Sequence, residues 1–400
     1  MNEILDALII GGGPAGATAA ILLARAGWSV AVVERKSFPR RKVCGEYLSA
    51  TNLPLLQILG VADVFRNLAG PDVCRVGLFA GDSVTTALLP LVHGKAAGWG
   101  RALSREHLDT MLLARACKSG ASVYQPSTAL RIAKANEIFA CQIRGGDSAD
   151  SRTLRARIIV SAHGSWEPGK LPTQSARLSN SPSDLLGFKA HFRDSNLADG
   201  LMPLLAFPGG YGGMVHCENG KVSLSCCIRR DVLTQLRTID PADAGEVVFE
   251  HILKSCRGVR ESLSGADREG PWLSAGPIRP GIRIGAPPGI FRIGNAAGEA
   301  HPVVAEGISM AMQSAWLLSS RLIAWRRAGA VHSSLSQVSG DYTDAWRRSF
   351  ASRIHASRAI ARWAMSPSMF RPTLALLRTF PQILSWGARV SGKARLVVTS

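Results

Sequence analysis

An apolar run, Ile4 to Ile10, stops at Gly11-Gly12-Gly13-Pro14-Ala15-Gly16, and an Ala- and Leu-rich stretch, Ala17 to Ala26, follows as far as Gly27. Ser29 to Val33 then reads as a second buried strand ending at Glu34. Strand, tight turn, helix and strand within about 30 residues form the opening β-α-β unit of a parallel sheet. Each glycine has a task in it. Gly11 makes the turn, Gly13 lets the backbone approach a pyrophosphate, and Gly16 lets the helix pack closely on the strand. Pro14 and Ala15 open the helix, whose free N–H groups and partial positive charge suit phosphates. Glu34 lies 18 residues after Gly16, with Arg35 beside it, where a carboxylate accepts hydrogen bonds from ribose hydroxyls. The spacing predicts a dinucleotide and leaves NAD and FAD both open.

The chain has 400 residues, 46% of them hydrophobic, enough for one large core or two ordinary ones, which excludes disorder and low complexity. Met1 to Asp6 hold two acids and no base, the wrong order for a secretory signal, and no 18-residue apolar stretch is uninterrupted. Eight scattered cysteines without a CxxC pair indicate neither a zinc ribbon nor a disulfide framework. A reducing cytoplasm is the expected compartment, and no metal site is expected.

Two later segments decide between the dinucleotides. Phe38 to Ser49 contains Lys42-Val43-Cys44-Gly45-Glu46. Gly294-Asn295-Ala296-Ala297-Gly298 is followed by His301-Pro302 and by Ala305-Glu306-Gly307-Ile308 at the head of a helix, Ser309 to Arg321. With these the chain resembles the flavoprotein superfamily of geranylgeranyl reductases, para-hydroxybenzoate-type hydroxylases and flavin-dependent halogenases, and the geranylgeranyl reductase branch most. The resemblance spans residues 4–321 and implies FAD as cofactor, with NADPH or NADH as the expected electron donor. It implies FAD contacts at Gly11, Gly13, Pro14, Ala15, Gly16, Glu34, Arg35, Cys44, Gly45, Arg105, Gly164, Gly294, Asn295, Gly307 and Ile308. Arg105 enters through Ser104-Arg105-Glu106-His107-Leu108-Asp109.

The departures are as informative. In Ile158 to Gly164, His163 stands where the superfamily carries the Asp that its hydroxylases use for flavin and nicotinamide binding. Asn295 replaces a second Asp and keeps hydrogen bonding without charge. Ala305 replaces a glycine. The Trp-x-Trp-x-Ile-Pro motif of halogenases does not occur, so halogenation is not expected.

The expected architecture is α/β: a Rossmann-type FAD-binding domain with a discontinuous parallel sheet (residues 1–165 and 276–325), an inserted, mainly antiparallel β substrate domain (166–275), and a basic helical C-terminal region (326–400). Arg105 to Lys118 reads as a helix with Ser104 as its cap. Strand-like runs follow at Ala121–Tyr124, Ala129–Ala133, Ile138–Ile143 and Leu154–Val160. A Pro- and Ser-rich linker over 165–184, with Pro168, Pro172 and Pro182, precedes runs at Leu186–Phe192, Leu204–Phe207, Tyr211–Cys217 and Val222–Ile228. Asn219-Gly220 marks a tight hairpin between the last two. Gly209 to Gly213 reads as a strand connection, since no helix follows it.

Lys and Arg number 47 against 29 acids, a net charge of +18, yet residues 321–400 alone carry 13 basic side chains and only Asp341 and Asp344. These bases are mostly Arg interleaved with Trp, Leu and Ile, and no nucleic-acid motif is present, so nucleic acid is not an expected partner. On a helix from Asp341 to Ala364, Tyr342, Trp346, Phe350, Ile354 and Ala361 share one face and Arg347, Arg348, Arg358 and Arg362 the other, with Arg353 and Trp363 breaking the pattern. Further breaks are expected at Pro367, Pro372 and Pro381. Such a helix caps the flavin domain, meets an anionic membrane surface at its inner face through 340–400, or does both.

The expected partner is an apolar small molecule, free or carrier-bound. Cys44, Glu46 and His301 are the candidate catalytic residues because they lie in the flavin-associated motifs. The leading expectation is hydride transfer from reduced FAD to a double bond of an isoprenoid, lipid or polyketide-like substrate. The alternatives are a monooxygenase acting on an aromatic or polyketide ring, and a non-catalytic flavin-binding partner.

Overall fold

The computed structural model describes residues 3–388 apart from 90, 92–97, 147–149, 165–168, 175, 177, 241, 330–334, 367–372, 375 and 378. Pro168, Pro367, Pro372, Arg371, Arg378, Arg389, Lys393 and Arg395 thus lie outside the described residues.

The first apolar run is strand Ile4–Ile10, and its last four residues are buried. A strand covered on both faces reads as a continuous hydrophobic run. Its neighbours, Val30–Val33 and Ser151–Ser161, both run parallel to it. Ser122–Tyr124 and Ile290–Arg292 add further parallel strands, while Ile138–Gly145 and Ser127–Ala135 extend the sheet antiparallel, giving seven strands. Chain entering the sheet at residue 290 confirms that it is assembled from discontinuous pieces. One face is covered by the helices Pro14–Arg25, Arg105–Lys118 and Gly307–Arg327, which share the largest core cluster.

Helix Arg105–Lys118 begins where expected, but the Ser104 side chain makes no cap bond to the backbone. Its hydroxyl pairs with His107 Nδ1 at 2.9 Å instead. The orphan N–H groups are met by two buried carboxylates from elsewhere in the chain: Glu218 accepts from Ser104 N at 2.9 Å and Glu46 from Arg105 N at 3.0 Å. An anion at a helix N-terminus also interacts favourably with the helix dipole.

The second sheet has seven strands in the order Asp267–Ile278, Leu185–Arg193, Val222–Arg229, Gly210–His216, Leu201–Phe207, Arg75–Ala80 and Ser83–Leu88. It is antiparallel except where Leu201–Phe207 meets Arg75–Ala80. The stretch 1–165 expected for the cofactor domain therefore lends a hairpin, Arg75 to Leu88, to the other sheet. Its two-residue turn, Gly81-Asp82, is a local hairpin signal, but the sheet it joins is set by pairing with a strand over a hundred residues later. Asn219 and Gly220 both adopt positive φ, 57° and 70°, as their tight turn requires. The helices Arg230–Ile239, Ala244–Ser255 and Arg257–Ser262 cover one face of this sheet.

Helix Leu335–Met365 extends beyond both expected ends. Tyr342, Trp346, Phe350, Ile354 and Ala361 are buried, and Arg347, Arg348, Arg358 and Arg362 are exposed. The apolar stripe packs on the flavin domain, so the cap is present. Trp346 lies so close over Gly298 that a Cβ there would overlap its ring. Arg353, which broke the stripe, is buried and donates to Gln313 Oε1 at 3.4 Å. Helix Gln382–Ala388 packs against the hairpin edge, with Ser385 donating to the Leu88 carbonyl. Among the described residues no helix is long and apolar enough to cross a membrane.

Candidate active site

Between the two sheets and the C-terminal helices lies a cavity of 660 Å³. Gly11, Gly13, Pro14, Ala15, Glu34, Arg35, Cys44, Gly45, Arg105, Gly164, Gly294, Asn295, Gly307 and Ile308 line it, so fourteen of the fifteen expected FAD contacts converge there. Gly16 is the exception. It is buried on the sheet side of the turn, where a Cβ would overlap the Gly11 carbonyl oxygen, and its task is packing.

Two helices aim their N-termini into one end of this cavity. Pro14–Arg25 starts at Gly13, and Gly307–Arg327 starts at Gly307, where a Cβ would meet nothing within 4 Å. The Arg105 guanidinium holds Asp109 through two bonds of 2.6 Å, and its Nη2 stands 3.6 Å from where a Gly13 Cβ would lie. Glu34 Oε2 accepts from Gly12 N at 2.8 Å and Oε1 from Lys36 N at 2.9 Å, which fixes the carboxylate and leaves further lone pairs for hydroxyl donors. Unpaired N–H groups, a buried Arg and a fixed carboxylate are the donors and acceptor that a ribose and pyrophosphate need. Asn295 donates its side-chain amide to Glu299 at 3.0 Å, and Arg283 pairs with Glu299 at 3.4 Å.

His163, in the vacancy left by the missing Asp, pairs with Thr173 Oγ1 at 2.8 Å. Burial and the neighbouring Arg292 and Arg35 lower its pKa to about 4. It is a neutral imidazole among cations.

The cavity also has apolar wall residues: Met202, Leu204, Val303, Ile360, Trp363, Leu377 and Leu384. Trp363, the second residue that broke the stripe, faces this cavity and donates to Thr373 Oγ1 at 3.1 Å. Four of these residues come from the C-terminal region, which therefore completes the cavity wall.

Of the three catalytic candidates, Cys44 and Glu46 line the cavity. His301 is not among the lining residues; Tyr211 is, with its hydroxyl 3.2 Å from His301 Nδ1. Burial, with Arg358 and Arg362 nearby, lowers the His301 pKa to about 4, and burial raises that of Tyr211 well above its ordinary value. The Cys227 thiol also hydrogen-bonds Tyr211. The His301 backbone N–H donates to Ser357 Oγ of the C-terminal helix at 2.9 Å. Glu46 is buried in contact with Lys189 and with His191, whose Nε2 is 2.8 Å from Oε2. Burial raises its pKa, but the attraction of Lys189 and the bonds to both partners outweigh this and hold it at about 2.

Tyr211, Lys189 and His191 were not legible as site residues. Tyr211 sits among glycines that read as a connection. Lys189 and His191 break the apolar run Leu186 to Phe192, the one signal that marks them.

The family described as FAD binding domain matches residues 5–344, and the chain belongs to it. Its relatives perform different reactions. The menaquinone reductase of Mycolicibacterium smegmatis is 24% identical over 100% of this chain and 90% of that one. Among solved structures, a myxobacterial chondrochloren halogenase superposes with a TM-score of 0.77 at 19% identity, covering 98% of this chain and 91% of that one. A geranylgeranyl bacteriochlorophyll reductase-like protein of Thermoplasma acidophilum superposes at 0.72 with 20% identity, covering 100% and 94%. At these identities the structural likeness establishes the fold, and the reaction must be argued from the site. The protein is an FAD-dependent flavoenzyme.

Proposed function

We propose that this flavoenzyme reduces a double bond of an apolar, isoprenoid- or lipid-like substrate, free or carrier-bound, with NADPH or NADH as electron donor. The observation that supports this reading is the cavity itself, whose lining takes in the cofactor cradle, a set of apolar side chains and Tyr211. Reduced FAD, when bound, supplies hydride. The apolar wall excludes water and seats a hydrocarbon chain. Tyr211 holds the proton that the second carbon needs. With its own proton on Nδ1, His301 donates to the Tyr211 oxygen and steadies it as that proton leaves. His301 thus acts through Tyr211, while Cys44 lies at the edge of the cradle. The menaquinone reductase relative is in keeping with a prenylated substrate.

Contact of the 340–400 region with an anionic membrane belongs to the same proposal. It uses the exposed arginines, since the apolar stripe is already buried.

The test is single turnover of the photoreduced protein with prenylated quinones and isoprenoid lipids. Product that gains two hydrogens supports the reductase reading. Product that gains one oxygen, formed only in air, replaces it with the monooxygenase alternative, and no product with any acceptor favours a non-catalytic flavin binder.

A further inference from the structure

Lys189 and His191 lie on strand Leu185–Arg193 of the substrate sheet, 0% and 2% exposed, and neither is among the side chains lining the cavity. Both converge on Glu46, 1% exposed, from the cofactor side of the molecule. An unpaired ammonium at this depth is strongly unfavourable, so such a group persists only with a partner. The Glu46 carboxylate spends one oxygen on Lys189 Nζ and Arg105 N and the other on His191 Nε2. Cys217 stands close enough to Glu46 and His191 for the three to resemble metal ligands, but the Lys189 ammonium already supplies the cation there.

Glu46 in turn touches two parts of the cofactor cradle. Its backbone N–H meets Cys44 Sγ at 3.4 Å, and it adopts a positive φ of 61°, which turns the Cys44-Gly45 backbone toward the cavity. Its carboxylate caps Arg105, the first residue of its helix, whose guanidinium faces Gly13 and also bonds Cys44.

We propose that Lys189 and His191 are positioning residues for the cofactor: through Glu46 they hold Arg105 and the Cys44-Gly45 loop in the geometry that grips FAD. The substrate sheet would thereby set the affinity and environment of a cofactor it does not touch through these residues. This rests on the FAD assignment and is independent of which reaction the flavin performs.

The test is FAD titration of the deflavinated full-length protein, followed by flavin fluorescence, with apo-protein folding monitored by circular dichroism. Removing the ammonium with K189M leaves the buried Glu46 carboxylate without the Lys189 counter-charge, and the FAD Kd is expected to rise about tenfold or more, with shifted flavin absorption bands at saturation. H191F, which keeps the ion pair, is expected to give a smaller rise and the same spectral shift, and H191Q, which keeps a donor to Glu46, to restore both. The double variant E46Q/K189M removes both charges yet keeps an acceptor for Arg105 N, and is expected to recover most of the affinity. A folded K189M or H191F that binds FAD with wild-type affinity and spectrum overturns the proposal. If K189M does not fold, H191F against H191Q decides. Wild-type protein that binds no FAD would instead overturn the cofactor assignment.

Discussion

The Tyr211 hydroxyl and His301 Nδ1 stand 3.2 Å apart and join the second sheet to the loop that follows Gly294, with only the tyrosine among the residues lining the cavity. If Tyr211 delivers the proton, Y211F should lower the single-turnover rate about 100-fold or more, the range that positioned acids contribute, with FAD affinity unchanged. H301N should lower it less, because the phenol remains. A Y211F protein that turns over at the wild-type rate would remove Tyr211 from the chemistry.

Stability should fall as the solution is acidified from pH 6.5 towards 4. The folded pKa values of His163 and His301 are both about 4, against an ordinary 6.5. Between these values the unfolded chain binds protons that the folded chain does not, so the stabilisation is complete above 6.5 and is lost as pH falls through the folded values. Each histidine should account for up to about 3 kcal/mol of that loss. Urea unfolding across this range checks it: H163Q and H301N should each flatten the pH dependence, and an unchanged slope in both would mean that other groups carry it.

The two glycines of the first turn should fail differently. G16A places a Cβ on the Gly11 carbonyl and should prevent folding. G13A places one 3.6 Å from the Arg105 guanidinium, which the protein alone tolerates, but it fills space that the pyrophosphate needs. Folded G13A should therefore bind FAD at least about tenfold more weakly, as read by fluorescence titration.

Trp346 is buried against Gly298, so W346A opens a cavity beneath the late flavin loop. A loss of about 3–5 kcal/mol in urea unfolding is expected, with faster release of FAD on dilution. A loss within about 1 kcal/mol would mean that the C-terminal helix is a loose appendage, since buried aromatic truncations rarely cost so little.

The parts of this fold legible in the sequence are those in which short-range chemistry decides. The glycine turn, the helix from Arg105 and the Asn219-Gly220 hairpin each carry their own instructions within a few residues. The stripe from Tyr342 to Ala361 announced a packed face, though not the surface it packs on. What stayed hidden depends on long-range pairing. The hairpin Arg75 to Leu88 joins a sheet whose other strands begin past residue 184. Helix Arg105–Lys118 recruits Glu46 and Glu218 in place of its own Ser104. The residues expected to meet FAD come together in one cavity because their motifs are local, whereas Tyr211 meets His301 across 90 residues.

Helix Leu335–Met365 keys Trp346 onto Gly298, anchors His301 through Ser357, and carries Ile360 and Trp363 to the cavity wall. On the proposed function, cofactor grip and substrate choice ride on this one helix. A one-turn slip or tilt of that helix would disturb both at once, so descendants of this chain that acquire a new substrate can do so readily by exchanging side chains along it, but not by moving it.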